Sequence, residues 1–250
     1  MFEEHYAFKS PENQEQFIWR YLDFTKFLDL IITEELYFTR MDKFDDKFEG
    51  SNTIPTVKAR EIFFQYLDRA GEMIPENVIK AKNALDKEYE ELRQYFTVNC
   101  WHMNDYESDA MWSRYAKEST GIAIRSTYKR LVTAIQASPL IIHIGKVGYV
   151  DFRKDLTPWG NAFILVLLKD KSFEHEKELR VVIWSKENKK YCDPIEHGVR
   201  VKISIDELVE SIFLSPSTPL WIRSLVEQIM KKYGVNKPVW QSCLEGKPVY

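Results

Sequence analysis

Three short runs of this chain carry residue types able to act on a small ligand. In Phe173-Glu174-His175-Glu176-Lys177-Glu178-Leu179-Arg180, extended chain projects Glu176, Glu178 and Arg180 to one side, because strand side chains alternate with period two. Two carboxylates beside a guanidinium, entering a buried strand, can hold ribose hydroxyls or stabilise a cationic transition state. The same run also reads as a charged strand entry with local ion pairs. The second run is Cys100-Trp101-His102 followed by Glu107 to Ala116. On a helix Ser108, Met111, Trp112 and Tyr115 share one face, so Trp112 and Tyr115 can sandwich a flat ring while Ser108 offers a hydroxyl. Such a helical aromatic stripe is more often core. Cys100 and His102 supply two metal ligands at most, and their strand positions do not bring a Cys–His pair together for nucleophilic catalysis. The third run is Arg20-Tyr21, then Thr25. Arg20 can clamp a phosphate or carboxylate with two parallel hydrogen bonds, or it is a surface arginine on an edge strand.

Other chemistries lack their residues. The acidic run Asp45-Asp46-Lys47-Phe48-Glu49-Gly50 does not have the spacing of an EF-hand loop and reads as a turn with capping carboxylates. There is no G-x-x-x-x-G-K, G-x-G-x-x-G, H-E-x-x-H or G-x-S-x-G run, which removes the support for P-loop, Rossmann, zincin and α/β-hydrolase readings.

The elements that must position these residues follow from periodicity. Strands are expected at Phe17 to Phe24, Leu36 to Met41, Thr97 to Trp101, from Ile122, and over Ile141 to Phe152 with a bend at Gly145 and Gly148. Later strands are expected at Leu179 to Trp184, Val199 to Ile205, Ser211 to Leu214 and Val239 to Ser242. Thr25 is expected to cap a helix with Phe27, Leu28, Ile31 and Ile32 on its apolar face. Lys58 to Ala70, with Ile62, Phe63, Tyr66 and Ala70 on one face, and a helix from Pro75 form an inserted hairpin, residues 58–96. Asn104 and Glu107 make a capping box for a helix to about Lys117. Trp159 to Asp170 and Leu220 to Tyr233 are further helices, the latter closed by Gly234. Strands that neither alternate strictly with helices nor form a meander predict one α+β domain, residues 1–250, with a mixed, mostly antiparallel sheet core and flanking helices.

Composition bounds the function. The 250 residues carry a net charge of −3, which argues against a domain held on nucleic acid by bulk charge. Aromatic residues make up 14%, enough for a wide aromatic core or a stacking platform. Three cysteines, Cys100, Cys192 and Cys243, with no C-x-x-C pair, imply reduced thiols in a cytosolic protein. The N-terminus lacks the features of a signal peptide, and Ala162 to Leu168 is too short to span a bilayer. A cytoplasmic location with no membrane partner is expected.

Taken together, the motifs resemble the bacterial domain-of-unknown-function 2971 family. The resemblance is carried by Tyr21, Leu36-Tyr37-Phe38-Thr39, Phe44 to Gly50, Cys100-Trp101-His102, Glu107-Ser108, Met111-Trp112, Tyr115-Ala116, Gly121 to Ile124, Val147-Gly148-Tyr149 and Glu176-x-Glu178-x-Arg180. More distantly, a first-strand arginine and a late E-x-E before an apolar strand are similar to ADP-ribosyltransferases. That resemblance implies NAD as co-substrate, bound by Arg20 with Tyr21, Trp112 and Arg180 nearby. It implies Ser108 or Tyr115 beneath the nicotinamide ribose, and Glu178 with Glu176 as the catalytic pair. The implied activity is ADP-ribosyl transfer to a macromolecular target, in a phage-defence or toxin setting, with no metal. Two alternatives stay open: a non-catalytic module binding a nucleotide or a protein, and a metal-dependent nuclease using Asp109, Glu176 and Glu178.

Overall fold

The computed structural model describes residues 1–70, 75–116, 120–188 and 196–244; Cys192 and the helix end expected at Lys117 lie outside them. In chain order the elements are β1 (Phe17–Leu22), α1 (Phe24–Thr33), β2 (Glu35–Arg40), α2 (Ile54–Arg69), α3 (Pro75–Leu92), β3 (Phe96–Met103), α4 (Asp109–Tyr115), β4 (Ile122–Thr127) and α5 (Tyr128–Ile135). They continue as β5 (His143–Lys146), β6 (Gly148–Val150), α6 (Ala162–Val166), β7 (Leu168–Asp170), β8 (Glu178–Trp184), β9 (Gly198–Lys202), α7 (Ile205–Leu208), β10 (Ser211–Leu214), α8 (Leu220–Lys232) and β11 (Val239–Gln241). The class is α+β, with a mixed, mostly antiparallel sheet.

Among the described residues nine strands make the main sheet, in the order β11-β10-β4-β1-β3-β2-β9, with β8 and then β5 on the other side of β3. Strand β3 is the branch point. Its far half pairs with β1 through Trp19↔His102, and its near half with β2 through Thr39↔Val98. Its opposite edge pairs with β8 from Phe96↔Trp184 to His102↔Glu178. Between the two partial pairings β1 and β2 part, and side chains satisfy the gap: the Arg20 guanidinium donates to the Cys100 carbonyl at 2.8 Å, and Asn99 Nδ2 to the Tyr37 carbonyl at 2.9 Å.

Burial is dense on both faces. The main core gathers Ile18, Leu22, Ile122, Ile124, Leu179, Val181 and Ile183 with α1 and α5 on one face. The other face carries two smaller clusters, one around Phe96, Val98, Phe163 and Val182, and one around Trp19, Tyr21, Met111 and Trp112.

Several expectations shift for physical reasons. Asp23, not Thr25, caps α1: its carboxylate accepts the Lys26 N–H at 2.8 Å, and Thr25 Oγ1 donates to it. Strand β1 therefore stops at Leu22. Residues 159–170 do not form one helix, because Gly160 takes a left-handed φ of 91° and Leu168–Asp170 pairs in parallel with β6. A continuous apolar run does not distinguish helix from strand. The strand expected over 141–152 divides at Val147, its two halves joining different sheets. The hairpin forms as α2 and α3, but Ile62, Phe63 and Tyr66 face solvent, Ile62 at 66% exposure. The buried positions of α2 are Thr56 and Arg60, the latter paired with Asp86 of α3.

Candidate active site

The acidic strand entry folds into a buried ion cluster. Glu176 ends a 3-10 turn (Lys171–Glu176), Lys177 takes a left-handed φ of 39°, and Glu178 opens β8. That turn swings both carboxylates under the sheet to Lys169, the middle residue of β7, whose Nζ lies 2.6 Å from Glu176 and 3.1 Å from both Glu178 and Glu49. Arg180 forks onto Glu178 through Nε and Nη2 at 2.8 and 3.1 Å, donates from Nη1 to the Val166 carbonyl at 2.6 Å, and shares Nη2 with Glu49. Glu178 is 4% exposed and Arg180 0%. Removing charges from water this far is costly unless each finds its partners.

Among the described residues three carboxylates face two buried cations, and the third cation, Arg114, meets Glu176 from the surface side. Burial alone would raise the Glu178 pKa, but Arg180 and Lys169 outweigh it and bring it down to about 2. Glu49 goes the other way: burial and the neighbouring Glu178 outweigh the two cations and raise it. Lys169 is raised, the three carboxylates overcoming the burial that would lower it.

The cluster reaches the surface on one side. The Tyr115 hydroxyl donates to Glu176 at 2.8 Å, and Arg114 Nε lies 3.1 Å from the same oxygen. Tyr115 is 40% exposed. Burial, and then the charge of Glu176, push its phenol upward, so it stays protonated. Phe173 lies beside both Arg114 and Lys169. Deeper in, the Tyr149 hydroxyl accepts the Glu178 N–H at 2.7 Å.

Next to this opening, Tyr21 and Trp112 meet edge to face at 4.9 Å, and the Tyr21 hydroxyl accepts the Ser108 N–H at 2.9 Å. Ser108 is the N-cap residue of α4 rather than part of its body, and its side chain makes no capping bond. Trp112 is buried in the aromatic cluster, its indole N–H donating to Glu107. Tyr21, Ser108, Trp112, Tyr115, Glu176, Glu178 and Arg180 thus form one continuous region.

Arg20 does not join it. Trp19, His102 and Glu178 form one cross-strand row on one face, so Arg20, the next residue, leaves β1 toward the opposite face, between the core residues Ile18 and Leu22. Strand β3 separates its guanidinium from Glu178. Cys100 and His102, two residues apart on β3, share a face. Cys100 is held as a thiol all the same, since burial and the adjacent Glu178 raise its pKa well above its ordinary value. His102 hydrogen-bonds the Glu176 carbonyl through Nδ1 at 2.6 Å, which makes Nδ1 the donor.

Glu49, Lys169 and Tyr149 are not among the site residues expected from the sequence: Glu49 is expected there as a turn-capping carboxylate but pairs with Lys169 and Arg180, and Tyr149 enters only in a motif of the family resemblance. An arginine at an inward position of an otherwise apolar strand, Leu179 to Ile183, is the signal that a remote carboxylate must come to meet it. Gly50 is the local signal for the loop that delivers Glu49. It sits at φ 76°, where a Cβ would meet Arg93 Cγ at 2.9 Å, so glycine is required there. Asp109 is exposed in the first turn of α4. No helix among the described residues is long and apolar enough to cross a membrane.

No protein-family model matches this chain, that of the domain-of-unknown-function 2971 family included, and no curated protein matches it. Among solved structures the chain is similar to Thermus sp. 2.9 DarT in complex with NAD+, at 10% identity and a TM-score of 0.42, over 94% of this chain and 98% of that one. It is similar also to Thermus sp. 2.9 DarT in complex with ADP-ribosylated ssDNA, at 10% identity and a TM-score of 0.41, over 94% and 97%.

Proposed function

We propose that this chain breaks NAD at its nicotinamide–ribose bond and passes the ADP-ribosyl group to a macromolecule, at the place where Tyr115 and Arg114 reach Glu176. The observation that carries the reading is a carboxylate pair fixed from below by Lys169 and met from the surface by a half-exposed phenol. In the reaction the bond from the anomeric carbon to the nicotinamide nitrogen breaks and its electron pair leaves with nicotinamide. A nucleophile of the target then attacks the same carbon and sheds its proton. The positive charge that builds on the ribose is what a fixed, desolvated carboxylate stabilises.

Glu176 takes the ribose-facing role, because it is the member of the pair that the surface residues Arg114 and Tyr115 reach. Glu178 anchors it through the shared Lys169, and Arg180 holds Glu178. Tyr115 offers the ring for nicotinamide, with Tyr21, Ser108 and Trp112 forming the adjoining wall. Arg20, across β3, has no part in this arrangement.

The test is incubation of the full chain with NAD and mass spectrometry of released nicotinamide, water serving as acceptor when no target is present. Glu176→Gln keeps the shape and removes the charge, and should slow release by about 100-fold or more. Unchanged release in both Glu176→Gln and Glu178→Gln would overturn the reading. Stabilisation by NAD without its consumption would instead mark a binding module, which the full pairing of both carboxylates with cations favours. Among the described residues no three His, Cys, Asp or Glu are arranged to hold a metal ion; nuclease activity abolished by EDTA would point to the metal-dependent alternative.

A further inference from the structure

The gap where β1 and β2 part from β3 contains a cavity of about 360 Å³ walled by β1, α1 and β2, a size typical of small-ligand sites. Five charged side chains line it: Arg20, Lys26, Asp29, Glu35 and Arg200. Four of them are already engaged. Arg200 forks onto Asp29 at 2.9 and 3.2 Å and lies 3.8 Å from Glu35. Lys26 pairs with Asp23 at 2.9 Å.

Arg20 is the exception. Its one protein acceptor among the described residues is the Cys100 carbonyl, a neutral group, and no carboxylate pairs with it. Its guanidinium also lies 6.0 Å from the Trp101 ring. An arginine has five N–H donors in a rigid fork, so most of its donors are left for whatever enters the gap. Burial pushes its pKa down to about 10, which still leaves it charged at neutral pH. A half-buried charge without a counter-charge bears part of the cost of desolvation, and an anion held by two parallel hydrogen bonds recovers it.

We propose that this gap is a binding site for the phosphate group of a small phosphorylated molecule, with Arg20 forking onto two of its oxygens. The site is separate from the acidic cluster and does not depend on the ADP-ribosyl-transfer reading. It lies across β3 from Glu178, and no residue of the two sites is shared. Asp29 and Glu35 do not block it, because Arg200 holds them.

Isothermal titration calorimetry on the full chain tests this with two probes, inorganic phosphate and a nucleoside monophosphate. At least one should bind, and Arg20→Met should weaken it by about tenfold or more. Glu176→Gln should leave it unchanged. Tighter binding of the nucleotide than of phosphate assigns the site to a phosphomonoester; equal binding assigns it to free phosphate. No binding of either probe, equal affinity in Arg20→Met, or loss of binding in Glu176→Gln would each overturn the proposal. Should Arg20→Met fail to fold, Arg20→Lys keeps the charge without the fork. It should still bind the probe about three- to tenfold more weakly, and unchanged affinity there counts against the site.

Discussion

Strand β8 opens with two buried faces of opposite chemistry, although the face that begins with Glu178 and Arg180 turns apolar further on, at Val182 and Trp184. On one, Leu179, Val181 and Ile183 lie in the main core, each at 0% exposure. On the other, Glu178 and Arg180 are joined by Glu49, Glu176 and Lys169. The apolar face gains stability residue by residue, roughly in proportion to area removed from water. The ionic residues of the other face have no such increment. Each of its members is tolerable only while the others are present, because a buried charge left alone costs more than the pair ever contributed. A strand face built this way holds its side chains in fixed places, which the chemistry proposed for the cluster's open side would require.

The comparison can be broken most forcefully at Arg180. Arg180→Met strands Glu178 and Glu49 in the interior and should cost about 3–5 kcal/mol in urea-induced unfolding. A loss below about 1 kcal/mol would show that the two carboxylates find other partners and that the cluster is not interdependent. On the apolar face, Leu179→Ala should cost about 3 kcal/mol, within the ordinary range for a buried leucine. Its effect should be insensitive to pH, which sharpens the contrast.

The third test is acid. Glu178 titrates near 2 in the folded chain against an ordinary value of 4.5. Its contribution is therefore fully present above the ordinary value and is lost as the pH falls through the folded one. Glu49 has the opposite sign: its folded pKa is raised, so its ionised form weighs against folding at neutral pH, and protonation relieves that burden first. Unfolding midpoints followed downward from neutral pH should hold nearly level, then fall steeply below about 4.5. Arg180→Met should flatten the steep limb, since it removes the cation chiefly responsible. A wild-type curve that declines evenly from neutral pH would contradict this assignment of signs.

The legibility of these two faces in the sequence differs as much as their energetics. Alternation in Leu179 to Trp184 marks the strand and its apolar face without reference to anything else in the chain. The same spacing puts Glu178 and Arg180 together, and they do form an ion pair. Glu49 and Lys169 arrive through an irregular loop and a three-residue strand, and local periodicity is silent about such encounters. Arg20 shows the limit from another side. Its alternation with Trp19 and Tyr21 is plain in the sequence, yet which face meets the acidic residues depends on the register of β1 against β3. A register is a relation between strands far apart in sequence, so no reading of either alone supplies it. The hairpin teaches the converse: a period-3.6 apolar stripe at Ile62, Phe63 and Tyr66 is real, but α2 rests on the domain through other residues.

The branching of the sheet at β3 has a consequence for how the chain is made. Strands β1 and β2 leave the ribosome before β3, so one edge of β3 can be covered at once. The other edge must wait for β8, with β4 to β7 synthesised in between. Through that interval a long run of unpaired main-chain N–H and C=O groups stays open to any passing strand, and non-local pairings of this kind are slow to form. Nascent chains stalled shortly before β8 should therefore be the most prone to aggregate and the most dependent on chaperones.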